Sequence, residues 1–264
     1  MQVSTERMIA RKDGAIGWMI FNNPARHNAI SLDMWQAIPE ILDGFAADPE
    51  IRVVVLRGAG EKAFISGADI SQFETQRSSA EAVKHYDEIG NRANQALMQC
   101  PRPTIAMIRG YCIGGGLGVA LCCDLRFAAE DARFAIPAAR LGLGYRHAGV
   151  RRLVEIVGPA YAKEIFYTAR QFDAAEAAGM GLVNRVVDVA GFEEFVLRQA
   201  GAIAENAPLT IAAVKQSVDA ALADPAARDL AAIDRAIEAC FASEDYREGR
   251  RAFMEKRRPR FAGR

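Results

Sequence analysis

Several things are missing from this sequence, and each absence removes a class of function. Net charge is missing: 33 acidic residues balance 33 basic ones, so no overall field favours a nucleic-acid partner. A disulfide framework is missing as well. The five cysteines are odd in number and irregular in spacing. Cys122 and Cys123 adjoin inside an apolar run, so buried free thiols are expected. No apolar stretch is long enough to span a bilayer, and no charged-then-apolar leader opens the chain. A reducing cytoplasm is the expected setting, with no membrane partner. No group of His, Cys and Asp has the spacing of a metal site.

What is present is glycine, concentrated in one place. The run Cys112-Ile-Gly-Gly-Gly-Leu-Gly118 is backbone nearly stripped of side chains. It lies between a strand-like segment, Thr104 to Arg109, and an apolar helical one, Leu117 to Cys123. Glycines let other atoms approach the main chain. A helix N-terminus offers free N–H groups at the positive end of a dipole. Together they suit an anion, or an oxygen that becomes one during a reaction. Nucleotide loops do not fit. The run has no Gly-Lys-Ser/Thr, as a P-loop needs, and lies too far along the chain for an opening dinucleotide turn.

Around this run, strands alternate with helices. Ala15 to Phe21, Ile51 to Leu56, Ala63 to Ser66, Thr104 to Ile108 and Ala132 to Ile136 read as strands. The β-branched run Ile51 to Leu56 bears the mark of a strand buried on both faces. Ser31 is placed to cap a helix whose apolar residues Met34, Ile38, Ile41, Leu42 and Phe45 recur at helical spacing. Ser78 to Cys100 reads as a polar, exposed helix. After Leu153 the chain turns alanine-rich, with amphipathic helices over Pro208 to Ala223 and Ala226 to Ala242 broken at Asp224-Pro225. The expected fold class is α/β, with a core over residues 1–200 and a helical segment over 201–264. The basic stretch from Arg247 to Arg264 reads first as a solvated helix end.

Further motifs occur in a fixed order. They are Asn23-Pro24 with Asn28-Ala29, then Ala63-Phe-Ile-Ser-Gly-Ala-Asp-Ile70, then Gly110-Tyr-Cys-Ile-Gly-Gly-Gly116, then Cys123-Asp124. Leu141-Gly142 and Gly179-Met-Gly-Leu-Val-Asn184 follow. As an ordered set they resemble the crotonase (enoyl-CoA hydratase/isomerase) superfamily, from about residue 10 to Phe253-Met-Glu-Lys256. The set is specific for the family and poorly specific for the reaction.

The resemblance implies a spiral of ββα turns with a helical C-terminal part that packs homotrimers, often paired into hexamers. It implies an acyl-CoA thioester as the substrate, with coenzyme A entering only as part of it and no other cofactor. It places the two N–H groups that hold the thioester oxygen at Ala68 and Gly115. A thioester enolate carries its charge on that oxygen, and one preorganised donor is worth about 2.7–4 kcal/mol. The resemblance also implies that Arg26, Ala68, Asp69, Ile70 and Ser71 line the CoA groove. Phe253 and Lys256 would reach a CoA, in some members that of a neighbouring subunit.

The chain also departs from the family. Its hydratases hold and split a water with two glutamates, which match positions 118 and 138. Here these are Gly118 and Ala138, and a third acidic position matches Arg146. General acid–base catalysis needs a titratable group within reach, and the family's acids are gone from all three. Replacements are sought in Gly144-Tyr145-Arg146-His147. Tyr145 matches the catalytic tyrosine of the family's methylmalonyl-CoA decarboxylase. That enzyme carries a histidine where this chain has Ala68, and keeps a glutamate at the position of Gly118. Decarboxylation suits a site without carboxylates, because the substrate brings its own anion.

The expectation is therefore a lyase, concretely a malonyl-type decarboxylase. Tyr145 would orient the carboxylate or protonate carbon, and Arg146 or His147 would attract the anion. The plainer alternative is that Tyr145 caps a pocket wall while Arg146 and His147 face solvent. Rival functions are hydration by non-standard residues, non-catalytic acyl-CoA binding, and RNA binding, which the neutral charge disfavours. His27 is expected to be structural and His85 exposed. Asp69 is expected to bind its own loop backbone, Asp124 to end a helix or turn, and Arg140 to form an internal ion pair.

Overall fold

A computed structural model describes residues 3–69 and 80–264. The expected contacts at Ile70 and Ser71 lie outside the described residues. Two sheets carry the core. The larger contains β1 (Met8–Asp13), β2 (Ile16–Phe21), β3 (Val53–Gly58), β5 (Thr104–Ile108), β7 (Leu125–Ala129) and β10 (Arg185–Val187), side by side in that order. The smaller contains β4 (Ala63–Ile65), β6 (Tyr111–Ile113), β8 (Arg133–Ala135) and β9 (Phe172–Asp173), again in order. β1 runs antiparallel to β2 and β9 antiparallel to β8, and the other pairings are parallel.

The helices are α1 (Leu32–Ala47), α2 (Ala80–Met98), α3 (Gly115–Cys122), α4 (His147–Thr168) and α5 (Ala174–Gly179). They are followed by α6 (Phe192–Ala204), α7 (Pro208–Leu222), α8 (Leu230–Ala242) and α9 (Glu244–Met254). Successive turns repeat one plan. β3-β4-α2, β5-β6-α3 and β7-β8-α4 each place one strand in each sheet and then a helix. Stacked in parallel, the turns bring the C-terminal ends of β4 and β6 together.

Burial explains the strand composition. Val54 and Leu56 of β3 face one apolar cluster with α1. Val53 and Val55 face a second, with Ile105 and Phe127 and with Phe192, Val196 and Ala200 of α6. A strand covered on both faces needs no polar alternation.

Some expectations change. Ser31 stands at the N-cap of α1, but its hydroxyl donates to Asp33 instead of accepting from the helix. The second C-terminal helix starts at Leu230, after a 3-10 turn at Pro225–Ala227, because Asp229 supplies the cap through Ala232 N–H at 2.8 Å. Helix α2 is not simply exposed. Tyr86, Ala93 and Leu97 form a narrow buried stripe on its inner side, where it packs on α1 and α3. Strands β1, β6, β7, β9 and β10 escaped the pattern. β1 is an edge strand with a charged end, and β6, β9 and β10 are two or three residues long.

All five cysteines are free, and four are buried. Burial pushes the Cys122 thiol up to about 12. Asp124 ends α3, as expected, and also ties three elements. It accepts from the Thr104 N–H at 2.8 Å, the Thr104 hydroxyl at 3.0 Å and the Lys215 ammonium of α7 at 2.8 Å. Asp124→Ala strands these donors in a half-buried place. It is expected to lower stability by about 2–3 kcal/mol, read from the urea midpoint.

Candidate active site

The site is assembled from main chain. Asn28 is fully buried and acts as a staple. Its carbonyl accepts from Asn23 N–H at 3.0 Å, and its amide donates to Ala59 O at 3.0 Å and Ala63 O at 2.8 Å. This fixes the loop after β2 against the start of β4. Ile30 then pairs with Ala68 as a parallel bridge. Ile30 N–H donates to Gly67 O at 2.8 Å, and Asp69 N–H donates to Ile30 O at 2.9 Å. Both groups flanking Ala68 are thus satisfied by Ile30. Extended backbone alternates its directions, so the Ala68 N–H points the other way. It has no acceptor among the described residues.

Gly115 opens α3, where the first N–H groups have no partner within the helix. Gly114 turns the chain with φ 53° and ψ −113°, in the left-handed half of the map, and donates to Ala135 O at 2.8 Å. The first helical bond runs from Gly118 N–H to Gly114 O at 3.0 Å, and Gly115 N–H is left over. A methyl placed on Gly115 would stand 3.8 Å from the Ala68 nitrogen and 3.6 Å from the Trp35 ring. The two expected donors are therefore neighbours, against the buried Trp35 indole. Such a pair can hold an oxygen that gains negative charge, and the apolar wall strengthens the interaction.

Among the described residues, a methyl at Gly118 would meet nothing within 4 Å. Ala138 is buried in the 3-10 turn Pro137–Leu141, which ends at Gly142 with φ 63°. Tyr145 packs edge-on to Phe166 of α4, ring centres 4.9 Å apart. Burial pushes its hydroxyl up to about 12, and nearby Cys122 adds to this. The residue keeps 39 % of its surface open, so it is the surroundings of the hydroxyl that set the direction. Arg146 is not a free cation. Its Nε and Nη2 donate to Asp87 Oδ2 of α2 at 2.9 and 2.7 Å. His147 is exposed at the start of α4.

The remaining expected residues scatter. Arg26 is exposed and approaches Asp69 at 3.7 Å, an ion pair rather than a hydrogen bond. Asp69 thus holds more than its own loop. His27 adopts φ 49° beside the Tyr111 ring, as a turn residue, and His85 is exposed. Arg140 is exposed and makes no ion pair among the described residues, contrary to expectation, because its short turn faces solvent. Phe253 and Lys256 lie exposed at the end of α9, with Lys256 at φ 54°. Part of the basic tail is ion-paired: Arg251 and Arg257 meet Glu248, Arg258 meets Glu205, and Arg264 meets Glu244. Sequence reasoning missed Trp35 and Asp87, an aromatic in an apolar helix and one charge among many on a polar one.

Residues 11–264 match the model of the enoyl-CoA hydratase/isomerase family. The chain belongs to that family. It is 33% identical over 251 residues to a short-chain-enoyl-CoA hydratase of Clostridium acetobutylicum, covering 95% of each chain. It is 32% identical to a crotonyl-CoA hydratase of Syntrophomonas wolfei, over 97% of this chain and 98% of that one. A solved structure described as an enoyl-CoA hydratase/carnithine racemase from Magnetospirillum magneticum superposes with a TM-score of 0.94. It has 38% identity and covers 99% of this chain and 97% of that one. The expected α/β fold and the family are thus established, and the protein is an acyl-CoA enzyme of that family. Its family membership sits beside a glycine at 118 and an alanine at 138.

Two glycines two residues apart make a contrast that can be measured. A methyl at Gly116 would stand 2.2 Å from Ile65 O, whereas one at Gly118 meets nothing within 4 Å among the described residues. Gly116→Ala is expected to cost about 1–3 kcal/mol or more in thermal unfolding. Gly118→Ala is expected to gain up to about 1 kcal/mol, as glycine is removed from a helix.

Proposed function

We propose that the protein binds an acyl-CoA thioester with its carbonyl oxygen between the N–H groups of Ala68 and Gly115, and that it stabilises the thioester enolate. The observation that carries this reading is the pair of unbonded donors beside side-chain-free backbone at Gly118. With no carboxylate at 118 or 138 to hold a water, the reaction that fits best is loss of carbon dioxide from a malonyl-type acyl-CoA. The bond between the α carbon and the substrate carboxylate breaks. Its electron pair moves onto the thioester as an enolate, and carbon dioxide leaves. A proton then adds at the α carbon. No cofactor is called for.

Tyr145 suits this role as a neutral phenol. With its hydroxyl pushed up to about 12, it donates a hydrogen bond at any ordinary pH and does not act as a base. His147 is open to solvent, where its part is to attract the anion. Arg26, Asp69, Ile70 and Ser71, with Phe253 and Lys256, remain the proposed contacts to CoA. The exposed apolar side chains Val214 and Val218 of α7 and Phe241 of α8 support a homotrimer or a dimer of trimers. Free cysteines fit a cytoplasmic setting.

The purified protein is given malonyl-CoA, methylmalonyl-CoA and crotonyl-CoA, and products are followed by mass spectrometry. Decarboxylation of a malonyl-type ester is expected, slowed at least tenfold in Tyr145→Phe. Rapid hydration of crotonyl-CoA that no substitution around Tyr145 affects would overturn it in favour of a hydratase. Binding without turnover of any ester would leave a binding protein. The rate is also expected to show no alkaline fall below about pH 10. Because burial raises the phenol's pKa, its proton is lost only well above the ordinary value, and any stability it lends fades over that same alkaline range.

A further inference from the structure

Helix α3 forms the wall on which Gly118 opens, and α2 and α4 both pack against it. One ion pair joins these two flanking helices. Arg146, at the N-cap of α4, donates from Nε at 2.9 Å and Nη2 at 2.7 Å to a single oxygen of Asp87 on α2. Next to Asp87 on α2, Tyr86 accepts from the Trp35 Nε1–H at 3.0 Å, and Trp35 stands against Gly115 and the donor pair. The ion pair therefore joins the two helices that flank the donor pair and the helix bearing Gly118.

The pair is built to be broken. The Arg146 side chain is 68% exposed and that of Asp87 27%, and exposed ion pairs contribute little. Both donors fall on one oxygen, so the guanidinium does not make the two-oxygen fork it makes best with a carboxylate. A second carboxylate entering the space beside Gly118 offers that fork.

We propose that Arg146 determines specificity: it selects CoA thioesters whose acyl group ends in a carboxylate, and Asp87 holds it in place until that carboxylate arrives. This rests on the acyl-CoA reading above but not on decarboxylation. The recognition holds for any acyl carboxylate that reaches the rim.

The test is calorimetric binding of two esters. Succinyl-CoA carries a carboxylate one carbon too far from the thioester to leave through its enolate, so it binds without reacting by that route. Butyryl-CoA is its neutral counterpart. The protein is expected to prefer succinyl-CoA, and Arg146→Gln to erase at least tenfold of that preference while butyryl-CoA binding changes less than twofold. Asp87→Asn, which removes the competing carboxylate, is expected to tighten succinyl-CoA severalfold and leave butyryl-CoA unchanged. Butyryl-CoA thus reports that each variant is folded. Equal changes for both esters in Arg146→Gln and Asp87→Asn would make the pair a structural clasp and overturn the proposal. Loss of the preference in His147→Gln but not in Arg146→Gln would overturn it too. Failure of the unaltered protein to bind either ester would overturn the acyl-CoA reading itself, a different result from binding both without discrimination.

Discussion

Helix α3 lies so close to strand β4 that a methyl on Gly116 would stand 2.2 Å from the Ile65 carbonyl oxygen. That approach sets the rest of the site. It puts the N-terminus of α3 beside the backbone that leaves β4, so Gly115 and Ala68 become neighbours. Ile30 then consumes the backbone groups on either side of Ala68, which leaves the Ala68 N–H unbonded beside Gly115. Remove the close packing and the two donors separate, whatever their sequence. The glycines serve two ends here: Gly116 permits contact, and Gly115 leaves room for the oxygen.

The scaffold and the chemistry have parted in this chain. The stacked turns are those of the enoyl-CoA hydratase/isomerase family. The side chains that would manage a water are not there. Tyr145 and the Arg146–Asp87 ion pair are the groups proposed to act in their place. A site without carboxylates at 118 and 138 repels an incoming anion less than one with two glutamates there. That electrostatic change favours substrates that carry their own charge.

Much of the fold was legible because burial dictates composition. The run Ile51 to Leu56 had to be a strand covered on both faces, and both clusters are there. The helix over 80–98 was misread as exposed because a stripe as narrow as Tyr86, Ala93 and Leu97 barely moves the average polarity. Strands β6 and β10, of three residues each, are too short to show a period. At the site, the glycine run suggested a place for an anion, and the resemblance named Ala68 and Gly115, which the structure makes neighbours. Arg146 was read as a free cation because its partner, Asp87, lies 59 positions away on another helix.

The sequence by itself determined which groups are available: backbone N–H groups at Ala68 and Gly115, no acid at 118 or 138, and a tyrosine, an arginine and a histidine at 145–147. Those are matters of composition and order, and folding cannot alter them. Only the tertiary structure decided which of these groups are free to act. Ile30 leaves the Ala68 donor unbonded, burial raises the Tyr145 phenol further above its ordinary range, and Asp87 already occupies Arg146. Hydrogen bonds and desolvation depend on what lies opposite a group in space, and residues far apart in the chain settle that.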